Sequence, residues 1–248
     1  MSNTIKVYWA PVHHGINNPP RDFNMFYYDI ESLLVYLNKN KALTEDKKNT
    51  FLRCPSFINL NKNTFILENP LKSHIKIEGS KIVPVVQSNI GFNFDHEPSI
   101  FKNPLIVYDM KWVFFTEEDE LEMELTSPYF SNAPHMQYGS IVPGGFDIGK
   151  WFRHIALEYN LWNDGTEMKI DKGEPLAYVS FKTDKKVELV RFKMNLDLKT
   201  YAQSAANSSK WEPMVPLVER YERFKRTRMK NLIMKEIKEN ILDNNNSK

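Results

Sequence analysis

Apolar and polar side chains alternate over short runs in this chain, and the runs are separated by Asn, Pro and Gly. That is the pattern of strands buried on one face and joined by tight turns. Residues 5–9, IKVYW, predict an opening strand, and HHGINNPPRDF, with Pro19 and Pro20, predicts a loop. From Asp29 the spacing of Ile30, Leu33, Leu34 and Leu37 becomes helical, with Asp29 as N-cap. This is the only helix the pattern predicts before the C-terminal region. Short strands are expected at 57–60, 63–67 and 75–77. A longer one at 105–115 places Ile106, Tyr108, Met110, Trp112 and Phe114 on one face. EEDELEMELTSPYF then alternates Glu120, Glu122 and Glu124 with Leu121, Met123 and Leu125, which predicts an antiparallel hairpin partner with a solvated acidic face.

The segment 139–181 reads as one β-structural unit. Pro143, Gly144 and Gly145 permit a sharp turn, and Ile155, Leu157, Tyr159 and Leu161 recur at period two. Asn163, Asp164 and Gly165 signal a turn, Met168 and Ile170 resume the alternation, and Asp171, Lys172 and Gly173 turn the chain into the apolar run 176–181. Residues 187–192 predict another strand, and KTYAQSAANSSKWEP reads as a polar connecting loop. A long amphipathic helix is expected from Pro216. Val218, Tyr221, Phe224, Leu232, Ile233, Ile237 and Ile241 form its apolar stripe, and Arg220, Arg223, Lys225, Arg226, Arg228 and Lys230 cluster in its first half.

Within 139–181, GGFDIG, a strand ending near Asn160 or Asn163, and IDKGEPLAYV resemble the β-clip core of the dUTPase and dCTP deaminase superfamily. The resemblance implies that Asp147 stands at the aspartate of the nucleotide hairpin and that Gly173, Leu176 and Ala177 match its second turn. Apart from the resemblance, Asp147 followed by Lys150, Trp151, Arg153 and His154 is a turn with aromatic and basic side chains, which can offer a base-stacking and phosphate-contacting ligand surface. The sequence departs from the family's pattern in several places. Tyr178 stands where the family has glutamine, and Trp151 is shifted from the position of its tyrosine. The serine-rich phosphate loop and the glycine-rich closing arm are absent. A lone aspartate cannot orient water against a phosphoanhydride without a phosphate cradle. A second resemblance covers most of the chain. The order FLRCPSFINLNKNTFILENP, LEMELTSPYF, MQYGSIVPGGFDIGKWFR, GEPLAYVSF and a basic C-terminal helix is similar to an uncharacterised family of tailed bacteriophages, especially marine ones. It implies a viral origin and a mainly β domain, and it brings no reaction with it.

A length of 248 residues suffices for one substantial core. The expected architecture is therefore mainly β: an antiparallel β-clip, barrel or jelly-roll-like core at 1–212, with one short N-terminal helix, a long C-terminal helix at 213–243 and a disordered tail at 244–248. A formal net charge of +2 gives no molecule-wide field for nucleic acid. Only the patch Arg220, Arg223, Arg226, Arg228 and Lys230 could contact it, and the same helix suits a partner protein or self-association. The single Cys54 excludes an internal disulfide and is expected in the core. No membrane-spanning run and no signal peptide are legible.

His13, His14, Asp95, His96 and Glu97 have the residue types of a two-histidine, one-carboxylate iron site without its local spacing. The three alternating glutamates suit a cation site in type, but charged outer faces of antiparallel strands are the commoner arrangement. The sequence thus predicts no metal, no cofactor and no catalytic residue, Asp147 excepted if the chain is a nucleotide enzyme. The expected function is that of a non-catalytic, phage-type accessory or structural protein acting through protein contacts, in the cytoplasm of an infected host cell or in the virion. The alternatives are a β-clip enzyme acting on dUTP or dCTP and an iron and 2-oxoglutarate oxygenase.

Overall fold

The computed structural model describes residues 3–13, 27–41, 51–78, 81–84, 92–95, 105–131, 133–162 and 167–242. Its strands are β1 (Thr4–His13), β2 (Glu31–Ser32), β3 (Thr64–Glu68), β4 (Ser73–Glu78), β5 (Lys81–Pro84), β6 (Phe92–Asp95) and β7 (Leu105–Thr116), then β8 (Glu122–Thr126), β9 (Gly139–Ile141), β10 (Gly144–Asp147), β11 (His154–Leu161), β12 (Glu167–Ile170), β13 (Pro175–Phe181) and β14 (Lys186–Arg191). The α-helices are α1 (Leu33–Lys41), α2 (Pro55–Asn61), α3 (Leu196–Trp211), α4 (Leu217–Arg226) and α5 (Met229–Glu239). With 40% strand against 31% helix, the protein is mainly β, as the alternation predicts.

One sheet runs β14-β1-β7-β11-β9, with β6 also on β7, and a second runs β10-β8-β13-β3-β2. A third, smaller sheet is β12-β4-β5. The pairings are antiparallel except for β1 with β14, which is parallel from Thr4↔Lys186 to Trp9↔Arg191. The two large sheets end in open edges and form no closed barrel among the described residues, so of the expected core shapes the barrel is not adopted.

The inner faces of the two large sheets make the main core. Trp9, Tyr108, Trp112, Phe114, Leu157 and Tyr159 come from the first, and Phe65, Leu67, Met123, Val179 and Phe181 come from the second. The first sheet is apolar on its other face too. Tyr8, Ala10, Val12, Val113 and Phe115 pack there against Leu198 and Ala202 of α3 and Ile233, Met234 and Ile237 of α5. On the outside of the second sheet, Leu33 of α1 covers Ile66 and Tyr178. The order of layers is therefore helices α3 to α5, first sheet, second sheet, then α1, which is how a sheet buries both faces.

Six expectations are corrected by this architecture. The strands at 105–115 and 122–126 do not form a hairpin. β7 pairs with β1, β6 and β11, β8 pairs with β10 and β13, and the link 117–121 crosses from one sheet to the other. The expected strand at 57–60 is part of α2, because Pro55 sits in the first turn, where its missing N–H costs nothing, after an extended Cys54. Cys54 itself is exposed rather than in the core. The polar connector is the sixteen-residue α3, whose N-cap Asn195 accepts a 2.9 Å bond from Leu198 N. Its polar face meets solvent while Leu198 and Ala202 are buried. The long C-terminal helix is two helices, broken at Arg228 with φ 57°. The N-terminal helix begins at Leu33 rather than after Asp29, which instead pairs with Arg191 at 3.0 Å.

Candidate functional site

The turn after β10 and the start of α4 bring together four residues singled out by the sequence: Asp147, Trp151, Arg153 and Arg220. Asp147 ends an edge strand and faces back into its own backbone. Its Oδ1 accepts from Leu121 N at 3.0 Å and from Gly149 N at 2.8 Å, while Oδ2 pairs with Lys150 Nζ at 3.2 Å. Lys150 also reaches Glu120 at 2.8 Å, and these two carboxylates hold its ammonium above the ordinary lysine range. Gly149 is required here by close approach, since a Cβ would stand 2.3 Å from Glu118 O. With both oxygens engaged, Asp147 fixes the turn and joins the link 117–121 to it.

Tyr221 of α4 donates nothing to this carboxylate. Its hydroxyl accepts the backbone N–H of Asp147 at 2.9 Å, and its ring lies edge-on to Trp151 at 6.4 Å. Trp151 is buried and carries guanidinium groups near its ring, Arg153 at 4.8 Å and Arg220 at 5.6 Å from the centroid. Burial pulls Arg153 below its ordinary value, against the opposing charge of Glu158, and Arg220 adds repulsion. Arg220 is buried as well. Its donors go to Val215 O at 3.2 Å, Ser208 Oγ at 3.0 Å and Glu212 O, so it fastens α4 to the end of α3. A cavity of about 330 Å³ lies between these helices and Trp151, with Phe152, Tyr201, Phe224 and Ile233 in its wall.

The remaining predicted residues are dispersed. Gly173 adopts φ +82° in the turn before β13. Asp147 opposes Glu122, next to the far end of β13, so the seven residues of that strand, roughly 20 Å, separate the two sites. Arg223 is held by Glu212 at 2.5 Å and Glu219 at 2.7 Å, and Lys230 by Glu118 O at 2.7 Å and Asp119 at 3.3 Å. Arg226 and Arg228 are exposed. Glu120 and Glu124 each face a lysine, Lys150 and Lys182, at 2.8 and 2.6 Å. Among the described residues no group of three or more His, Cys, Asp and Glu could hold a metal ion. His14, His96 and Glu97 lie outside the described residues, as do the side chains of His13 and Asp95. No described helix is long and apolar enough to cross a membrane.

No family model, curated protein or solved structure matches this chain. What stands out is a run of exposed apolar side chains from the end of α3 to the start of α4, of which the pattern had flagged only Val218, as part of the helical stripe. Trp211 is 86% exposed, Met214 91% and Val218 71%, and Leu217 beside them is exposed too. The expected polar connector concealed it. Asn195 as a cap before a run containing Ala202, Ala205 and Ala206 was the available signal for a helix ending at that tryptophan.

Proposed function

We propose that this is a non-catalytic, phage-type accessory or structural protein that works through protein contacts, in the infected host cytoplasm or in the virion. The observation that supports it is the solvent-facing group Trp211, Met214, Leu217 and Val218. Large apolar side chains left exposed within eight consecutive residues favour a partner, and tryptophan is enriched among residues that dominate binding energy. The basic stretch that sequence marked for docking contributes less, because Arg220 and Lys230 are committed within the chain and Arg223 is ion-paired. The β-clip likeness of 139–181 enters the proposal as scaffold alone, since Asp147 is occupied by Leu121, Gly149 and Lys150.

The test is a comparison of the wild-type protein with the double variant Trp211→Ser, Val218→Ser. Sedimentation velocity reads self-association, and affinity capture from infected-host extract reads a saturable protein partner. The wild type should show one or the other, and the double variant should lose it by about tenfold or more, the loss expected from removing a central aromatic anchor. Hydrolysis of dUTP or deamination of dCTP that disappears in Asp147→Asn would instead establish the enzyme.

A further inference from the structure

On the side of the molecule away from α3 to α5, the outer face of the second sheet carries an open cleft. Its volume is about 570 Å³, within the range of small-ligand sites. Its floor is the sheet itself, where Thr64 Oγ1 and Ser180 Oγ share a 2.9 Å hydrogen bond across β3 and β13. One wall is the end of α2 with Lys62, and the other includes Thr126, Glu124 and Lys182.

Two buried asparagines set this shape from behind. Asn61 sends Nδ2 to Phe57 O at 2.9 Å and receives the Tyr129 hydroxyl on Oδ1 at 2.6 Å, which fixes the tyrosine ring at the cleft rim. Asn63 donates to Thr183 O and Lys185 O, each at 2.9 Å, and accepts from Val187 N at 3.1 Å, so the turn at 183–185 is locked. Walls held in this way lose little freedom when a ligand arrives.

The chemistry of the lining selects the ligand. Two acidic and two basic side chains line the cleft, and they are already paired, Glu124 with Lys182 at 2.6 Å and Lys62 with Asp184 at 3.3 Å. The charge balances, so no net field draws an ion, while carboxylate, ammonium and hydroxyl groups offer many donors and acceptors. Tyr129 adds an aromatic ring that is 53% exposed. We propose that this cleft binds a neutral saccharide. Sugar hydroxyls would bridge Glu124 and Lys182 by charge-assisted hydrogen bonds, and an apolar sugar face would rest on Tyr129. The site lies apart from the Trp211 patch and stands or falls independently of it.

The experiment is isothermal titration of the full chain with neutral trisaccharides of glucose, galactose and N-acetylglucosamine, with glycine and inorganic phosphate as charged comparators. At least one trisaccharide should saturate below about 10 mM, and its affinity should fall by about tenfold or more in Glu124→Gln and in Tyr129→Ala. Trp211→Ser, which is remote, should retain binding, and Tyr129→Phe, which keeps the ring but loses its bond to Asn61, should weaken binding less than Tyr129→Ala. Circular dichroism melts confirm that each variant is folded, and Glu124→Gln, half-buried on the outer face of the sheet, preserves the local shape. No saturation by any trisaccharide, saturation unchanged in both the Glu124 and Tyr129 variants, or binding of phosphate or glycine alone would overturn the assignment.

Discussion

His135 shows how a single side chain can tie stability to pH. It is fully buried, both ring nitrogens lack a hydrogen-bond partner, and its ring stands edge-on to Tyr159 at 5.9 Å. Glu174 Oε2 lies 3.5 Å from Nδ1, a contact that would favour a charged imidazole. Burial outweighs it, pushing the histidine down from 6.5 to about 4, while burial also raises Glu174 above the usual carboxylate range. The folded ring therefore stays neutral where an unfolded one would take up a proton. Above about pH 6.5 this costs nothing. As pH falls from 6.5 towards 4 the unfolded state binds the extra proton, and folding loses roughly 3 kcal/mol. The shifted Glu174 acts in the opposite direction as pH rises above its ordinary value. In His135→Phe, which keeps a ring against Tyr159, the acid slope of Tm between pH 6.5 and 4 should flatten. A slope as steep as that of the wild type would assign the acid sensitivity to other groups.

At the scale of elements, the break between α4 and α5 has a cause in the directions of their apolar faces. In one straight helix at about 100° per residue, Ile233 and Ile237 would point roughly 120° and 160° away from Tyr221. Tyr221 must meet Asp147 and Trp151, whereas Ile233 and Ile237 must meet the sheet face of Phe115. Arg228 makes the correction in the left-handed region, φ 57° and ψ 15°. That conformation costs a residue with a Cβ about 1–2 kcal/mol, and the extra unfolded-state freedom of glycine offsets about 0.5–1 of it. Arg228→Gly should therefore raise stability slightly, by less than about 1 kcal/mol, seen as a small upward shift of the urea midpoint, whereas the β-branched Arg228→Val should lower that midpoint. The stretch RTRMK contains neither Gly nor Pro, so nothing local announced the break. β7 and β11 were legible from their period-two alternation, and β1, β13 and β14 as short apolar or β-branched runs bounded by turn residues. α3 was not, since only a narrow stripe of it is buried, and neither was the change of sheet between β7 and β8, because a sheet-to-sheet crossing and a hairpin share one local pattern. The same contrast applies to sites. Asp147, Trp151 and Arg153 lie within seven consecutive positions and could be grouped by eye, but the Thr64 and Ser180 hydroxyls are 116 positions apart and meet only through the pairing of β3 with β13.

For the whole molecule, β1 and β7 are the shared walls. Tyr8, Ala10, Val113 and Phe115 face the helical layer, and the intervening Trp9, Trp112 and Phe114 face the second sheet. The chain after α5 is tied to the same sheet, with Phe192 bridged to Ile241, Lys193 N bonded to Asn240 O at 2.8 Å and Leu242 N to Arg191 O at 3.0 Å. A loss of packing under α5 must then expose a face of the strands whose other side is the main core. Ile237 is fully buried and Leu232, on the same helix, is 55% exposed. Ile237→Ala should cost about 2–5 kcal/mol from lost burial and the cavity left behind, while Leu232→Ala should stay within about 0.5 kcal/mol. Far-UV circular dichroism follows the helices, and near-UV dichroism follows the packed aromatics between the sheets. Because the layers share β1 and β7, both signals should shift together in Ile237→Ala, as one cooperative unit does. An earlier far-UV transition with the near-UV signal unmoved would mean that the helical layer melts alone, and that the sheets are stable without its cover.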